Sequence, residues 1–86
     1  MPGHDNNDYG KITVDGTDPD QIPVAKGGSL SIYNLGASTI YLGDSSVTTA
    51  TGFPILANTG YSLDVDSGNS WYIIGAAGLD VRYMVY

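Results

Sequence analysis

The chain has 86 residues, no cysteine, and three cations against nine acids, for a net charge of −6. That is enough for one domain with a thin core and no disulfide staples. Lys11, Lys26 and Arg82 are too few to build a basic patch, which excludes a phosphate backbone as partner, and no apolar run approaches the length of a membrane helix; neither nucleic acid nor a membrane is expected as a partner.

Every acid is Asp, and the helix-favouring charged residues Glu, Lys and Arg are scarce or missing; Ser, Thr, Asn, Gly and seven Tyr take their place. The resulting surface is polar but weakly charged, so it can lie flush against another protein with little desolvation of charge. A thin core without disulfides makes partner contacts the natural source of further support.

Residues 1–10 hold Pro2, Gly3, Gly10 and a cluster of Asn and Asp, with nothing to enter a core; they read as a flexible N-terminal arm preceding a single β domain over residues 11–86. The arm has no apolar centre and is not a signal peptide, so synthesis in a cytoplasm without cleaved export is expected. Lys11-Ile12-Thr13-Val14 alternates as a half-buried strand does. Asp15-Gly16-Thr17-Asp18-Pro19-Asp20 is a turn cluster. Gln21-Ile22-Pro23-Val24-Ala25 is extended, and its Pro makes it an edge strand or a loop crossing. Ser29-Leu30-Ser31-Ile32-Tyr33-Asn34 places Leu30 and Ile32 inward. Leu35-Gly36-Ala37-Ser38 turns the chain, and Thr39-Ile40-Tyr41-Leu42-Gly43 is expected to pair back as a hairpin, with Tyr41 opposite the core. Val47-Thr48 has the form of a short strand. Phe53-Pro54-Ile55-Leu56 is an edge piece or a plug, since Pro54 cannot sit in a central ladder.

Tyr61-Ser62-Leu63-Asp64-Val65 alternates with Tyr61, Leu63 and Val65 inward. Ser70-Trp71-Tyr72-Ile73-Ile74 is apolar on both faces, as a covered central strand is. Leu79 to Tyr86 alternates again, with Leu79, Val81, Tyr83 and Val85 on one face. Turn signals recur about every 8–12 residues and no stretch has helical period. The expected fold is all-β: a compact antiparallel β-sandwich or small barrel, jelly-roll-like, of six to eight short strands.

Chemistry finds little footing. There is no Cys and no Glu, and the one His, His4, lies in the arm without a second ligand or a nucleophile beside it. No catalytic residue and no cofactor is expected. Asp15, Asp18 and Asp20 share a short loop and offer hard oxygens that suit Ca²⁺, but the loop lacks the closing Glu of a calcium-binding loop, and the same residues are good turn formers. Gly27-Gly28 lacks the spacing and the following helix of a phosphate loop. The aromatics are more numerous than a thin core needs. Tyr41, Trp71, Tyr72 and Tyr86 are therefore expected on outer faces, as a docking surface, as a platform for stacking sugar rings, or as shields over strand edges.

The progression Asn34-Leu35-Gly36, Thr39-Ile40-Tyr41-Leu42-Gly43, Ser46-Val47-Thr48, Gly52-Phe53-Pro54-Ile55, Gly60-Tyr61-Ser62-Leu63 and Trp71-Tyr72-Ile73-Ile74, closing on Val81-Arg82-Tyr83, resembles small virion proteins of tailed bacteriophages. The resemblance covers roughly residues 30–86. It implies a head-decoration or cement protein on the capsid surface of a virion, made in the host cytoplasm. Such a protein binds the major capsid protein and bridges capsomers, often as a homotrimer over a local three-fold. The likeness carries no catalytic residue. Outside it, the segment 1–25 is extended and is expected to touch the shell or a neighbouring subunit through Tyr9, Ile12, Ile22 and Pro23. A tail or fibre accessory domain and a carbohydrate-binding β-sandwich module using Trp71 and Tyr72 are the alternatives.

Overall fold

The alternations in the sequence become eight strands in the computed structural model, which describes residues 8–23, 28–66 and 70–86. They are β1 (Asp8–Thr13), β2 (Asp20–Ile22), β3 (Gly28–Asn34), β4 (Ile40–Gly43), β5 (Phe53–Ile55), β6 (Thr59–Val65), β7 (Trp71–Ile74) and β8 (Asp80–Val85). No helix occurs among the described residues. One sheet has the order β1-β8-β3-β6, the other β2-β7-β4-β5, and every pairing is antiparallel. This strand order is that of a jelly roll: the chain passes from one sheet to the other at every connection except β4 to β5. The all-β sandwich expected from the sequence is the fold found.

The core lies between the sheets. Leu30 and Ile32 of β3, Val65 of β6, and Val81 and Val85 of β8 meet Ile22 of β2, Ile40 and Leu42 of β4, Ile55 of β5 and Ile73 of β7. These are the inward positions of alternating strands, and β-branched residues fill such a pleated layer well. Burying each costs little side-chain entropy and removes about 1.5–3 kcal/mol worth of apolar surface from water.

The connections 14–19, 35–39, 56–58 and 75–79 gather at one end of the sandwich. Val14 N–H donates to Leu79 O at 2.9 Å, Gly78 N–H to Val14 O at 2.8 Å, and Asn58 N–H to Asn34 O at 2.7 Å. Asn34 is fully buried and ties this end together. Its Nδ2 donates to Ser38 O at 2.8 Å and Ile55 O at 3.0 Å, and its Oδ1 accepts from Gly36 N–H at 2.9 Å. Leu79 closes the same end against the core.

Three expectations are corrected here. First, β3 and β4 do not form a hairpin; they lie in different sheets, and residues 35–39 carry the chain across the edge of the sandwich. Second, β1 begins at Asp8, so residues 8–10 of the expected arm pair with β8 through Val85, Met84 and Tyr83; residues 1–7, with His4, lie outside the described residues. Third, Val47-Thr48 is not a strand. Residues 44–52 fold back over the outer face of the second sheet, and Val47 is buried there, apart from the main core. Its methyl comes so close to Gly43 and Gly52 that a Cβ at either would meet it at 2.7 Å. Glycine is needed at both positions for that contact.

Candidate binding face

The register fixes which side chains share each outer face. Ser29 and Tyr86 exchange both backbone hydrogen bonds at 2.9 Å, and Ser31 pairs with Met84 and Tyr33 with Arg82. β1 adds Tyr9 beside Met84 and Lys11 beside Arg82, and β6 adds Ser62 beside Ser31 and Gly60 beside Tyr33. The outer face of the first sheet therefore presents Tyr9, Tyr33, Met84 and Tyr86 around a floor of Ser31 and Ser62. All four large side chains are open to solvent, at 79, 44, 42 and 51% exposure. A shallow groove of about 370 Å³ runs between Tyr33, Arg82 and Met84.

This face is held rigid. Tyr33 Oη donates to Asn58 O at 2.9 Å. The hydroxyls of Ser31 and Tyr86 are 3.1 Å apart, and those of Ser31 and Ser62 2.8 Å. Arg82 grips Asp80 with two contacts, Nε to Oδ1 at 3.0 Å and an NH2 nitrogen to Oδ2 at 3.1 Å. The hydrogen bonds from Arg82 hold the Asp80 carboxyl below its ordinary range, and the same pairing raises the guanidinium. Aromatic rings anchored by their hydroxyls lose little further freedom when a partner covers them.

The outer face of the second sheet is different. Tyr41, Tyr72 and Ile74 are half-buried there, beside Gly43 and Pro54, under the loop that carries Val47. Tyr41 and Tyr72 thus serve a covered layer and are only partly available for contact.

The remaining expected contact residues divide. Tyr9 and Tyr86 are on the open face. Pro23 is exposed at the end of β2. Ile12 is half-buried and packs on the core. Ile22 is corrected: at 1% exposure it is a core residue, because it faces the other sheet in register with Trp71. Trp71 is corrected too. It lies two residues from buried Ile73, so it shares the inward face, where it packs against the core and its Nε1 is buried without an acceptor among the described residues. Trp71 and Tyr72 consequently point to opposite sides of the sheet and form no joint stacking platform.

Sequence reasoning passed over Tyr33 and Met84. The signal was present: Leu30 and Ile32 inward require Tyr33 outward, and Val81, Tyr83 and Val85 inward require Met84 and Tyr86 outward. In the loop 15–20, Asp20 Oδ2 accepts from Asp15 N–H at 2.9 Å and Asp15 Oδ2 from Asp18 N–H at 3.3 Å. These carboxylates cap their own turn, and no group of three or more metal-ligating side chains occurs among the described residues.

Comparison with known protein families, curated proteins and solved structures finds no match to this chain.

Proposed function

We propose that this chain is a non-catalytic adhesion module that coats the head of a tailed bacteriophage, bridging copies of the major capsid protein and stabilising the shell. The observation that carries the reading is the open outer face of the β1-β8-β3-β6 sheet, with Tyr9, Tyr33, Met84 and Tyr86 held on a rigid floor and no loop among the described residues covering them. Tyr and Met are favoured at protein interfaces, and the resemblance over residues 30–86 supplies the partner. Many copies on one lattice would let modest single contacts add up to firm attachment.

Co-sedimentation with isolated, undecorated heads tests this. The wild-type chain is expected to pellet with them, and a Tyr9→Ser/Met84→Ser variant to remain in the supernatant while melting within a few degrees of wild type, since both side chains lie outside the core and neither makes a side-chain hydrogen bond among the described residues. A wild-type chain that stays in the supernatant ends the reading. Immunogold labelling of intact particles distinguishes attachment on the head from attachment on the tail.

A further inference from the structure

The outer edge of β6 is a seven-residue strand edge with one charged side chain, Asp64, near its end and no proline. Ser29 and Tyr86 form a hydrogen-bonded pair across β3 and β8, so by alternation Leu30 and Ile32 direct their backbone groups toward β6. In β6, Leu63 and Tyr61 answer them. The N–H and C=O groups of Gly60, Ser62 and Asp64 are left pointing away from the sheet, and β6 has no neighbouring strand on that side among the described residues. All three residues are exposed. The other edges are blunted: β5 is three residues long and contains Pro54, β2 is three residues long and is followed by Pro23, and β1 carries Lys11. A long bare edge recruits another strand unless something prevents it.

The flank beside this edge is apolar and neutral. Phe53 and Tyr61 stack there with ring centroids 4.8 Å apart, and Phe53, Leu56 and Tyr61 are all exposed. Residues 45–63 contain no charged side chain at all, although the chain carries −6. The opposite flank holds Asp15, Asp18 and Asp20. Two acidic molecules that approach each other along β6 bring only their Asp64 side chains into the contact, and a pairing centred on Ser62 keeps those two about 14 Å apart, beyond a Debye length at physiological salt.

The sequence of the edge is also self-complementary. Gly60-Tyr61-Ser62-Leu63-Asp64 is symmetric in kind about Ser62, with an apolar residue one step to each side. An antiparallel pairing of two copies centred on Ser62 sets Ser62 against Ser62, Gly60 against Asp64 of the second copy, and Tyr61 against Leu63. It satisfies every free backbone group of the three edge residues. A register centred on Asp64 would oppose two carboxylates and leave Gly60 unpaired.

We infer that β6 is a self-association edge: two copies join antiparallel about a two-fold at Ser62, making one continuous eight-stranded sheet and covering Phe53, Leu56 and Tyr61. The contact lies at the strand edge and does not depend on what the outer face binds.

Sedimentation velocity over a concentration series and thiol cross-linking test it. The wild-type chain is expected to show a monomer–dimer equilibrium. Ser62→Pro removes an N–H that no internal ladder uses, and should raise the dimer dissociation constant by about two orders of magnitude. In this cysteine-free chain, Ser62→Cys should oxidise to a covalent dimer, because the paired Cα atoms would stand about 5.5 Å apart. Asp64→Cys should not, because its two copies would be about 14 Å apart along the strands. If Ser62→Pro fails to fold, the two cysteine variants decide alone. A chain that remains monomeric at millimolar concentration, an oligomer untouched by Ser62→Pro, or equal cross-linking at both positions would overturn the inference. A wild-type chain that binds heads while staying monomeric in solution would leave the adhesion reading intact, and failure of the wild-type chain to bind heads would leave the dimer intact.

Discussion

The side chain of Asn34 is buried, yet its amide group and its carbonyl oxygen have partners, two of them on the connection 35–39 and the third at the end of β5. Replacing it with Leu would leave Ser38 O, Ile55 O and Gly36 N–H without their bonds in an apolar setting, at about 1–3 kcal/mol for each group that water cannot reach. Asn34→Leu is therefore expected to lower stability by about 2–4 kcal/mol, or roughly 10–25 °C in melting temperature for a domain of this size, measured by urea and thermal unfolding. At Asp80 the effect is smaller and depends on pH. Its folded pKa is depressed, first by the hydrogen bonds from Arg82, so the pair's contribution is fully present above the unfolded value of about 4 and fades as pH falls through the lower folded value. Urea midpoints of wild type and Arg82→Gln should differ at pH 6 and draw together as the pH falls through the lowered Asp80 value. Both sites expose a limit of reading residues one at a time. Asn34 and Ile22 stand on alternating strands like their neighbours, and their roles depend on which other strand faces them.

At the scale of the element, strand positions and inward faces were legible because period-two alternation is a property of each strand alone. Leu30, Ile32, Ile40, Leu42, Val65, Val81 and Val85 are inside as their patterns require. Pro54 and Pro23 mark short edge strands for the reason that a ring nitrogen cannot join a ladder. What alternation does not carry is which sheet a strand joins. Residues 35–39 suit a tight hairpin and a crossing between sheets equally well, so alternation alone does not place β4 beside β7 and β5. The inward side of Trp71 is not legible in the sequence, because β7 is apolar on both faces and offers no contrast from which to choose. The loop 44–52 was misread for a related cause: Val47 is a single apolar residue, and its burial depends on the absence of a side chain at Gly43 and Gly52. Gly43→Ala should cost about 1–3 kcal/mol by overpacking. Adding Val47→Ala to it should cost less than Val47→Ala costs alone, since loss of the methyl at 2.7 Å relieves part of the clash and leaves only the Cβ of residue 47, at 2.9 Å. A double-mutant cycle from chemical denaturation measures that coupling.

At the scale of the whole molecule, the jelly roll makes the two ends of the chain depend on each other. β8 lies between β1 and β3, and β7 lies between β2 and β4; of all the ladders only β4–β5 joins strands that follow one another in sequence. Five of the six pairings must close long loops before any ladder bond rewards them, and that entropy is lost early. The outer face with Tyr9, Tyr33, Met84 and Tyr86 inherits the dependence, because β1, β3 and β8 build it together. Folding should therefore be slow and concerted, with refolding in milliseconds to seconds at 25 °C, where a chain of local hairpins of this length would be faster. Trp71, the only Trp, reports on it directly: its indole packs inside the sandwich, so its fluorescence changes when the second sheet closes on the first. Stopped-flow refolding followed by Trp71 emission and by far-ultraviolet circular dichroism should give one shared rate. A fast circular-dichroism phase preceding the Trp71 signal would mean that one sheet assembles without the other, contrary to a topology in which each sheet is threaded through its partner.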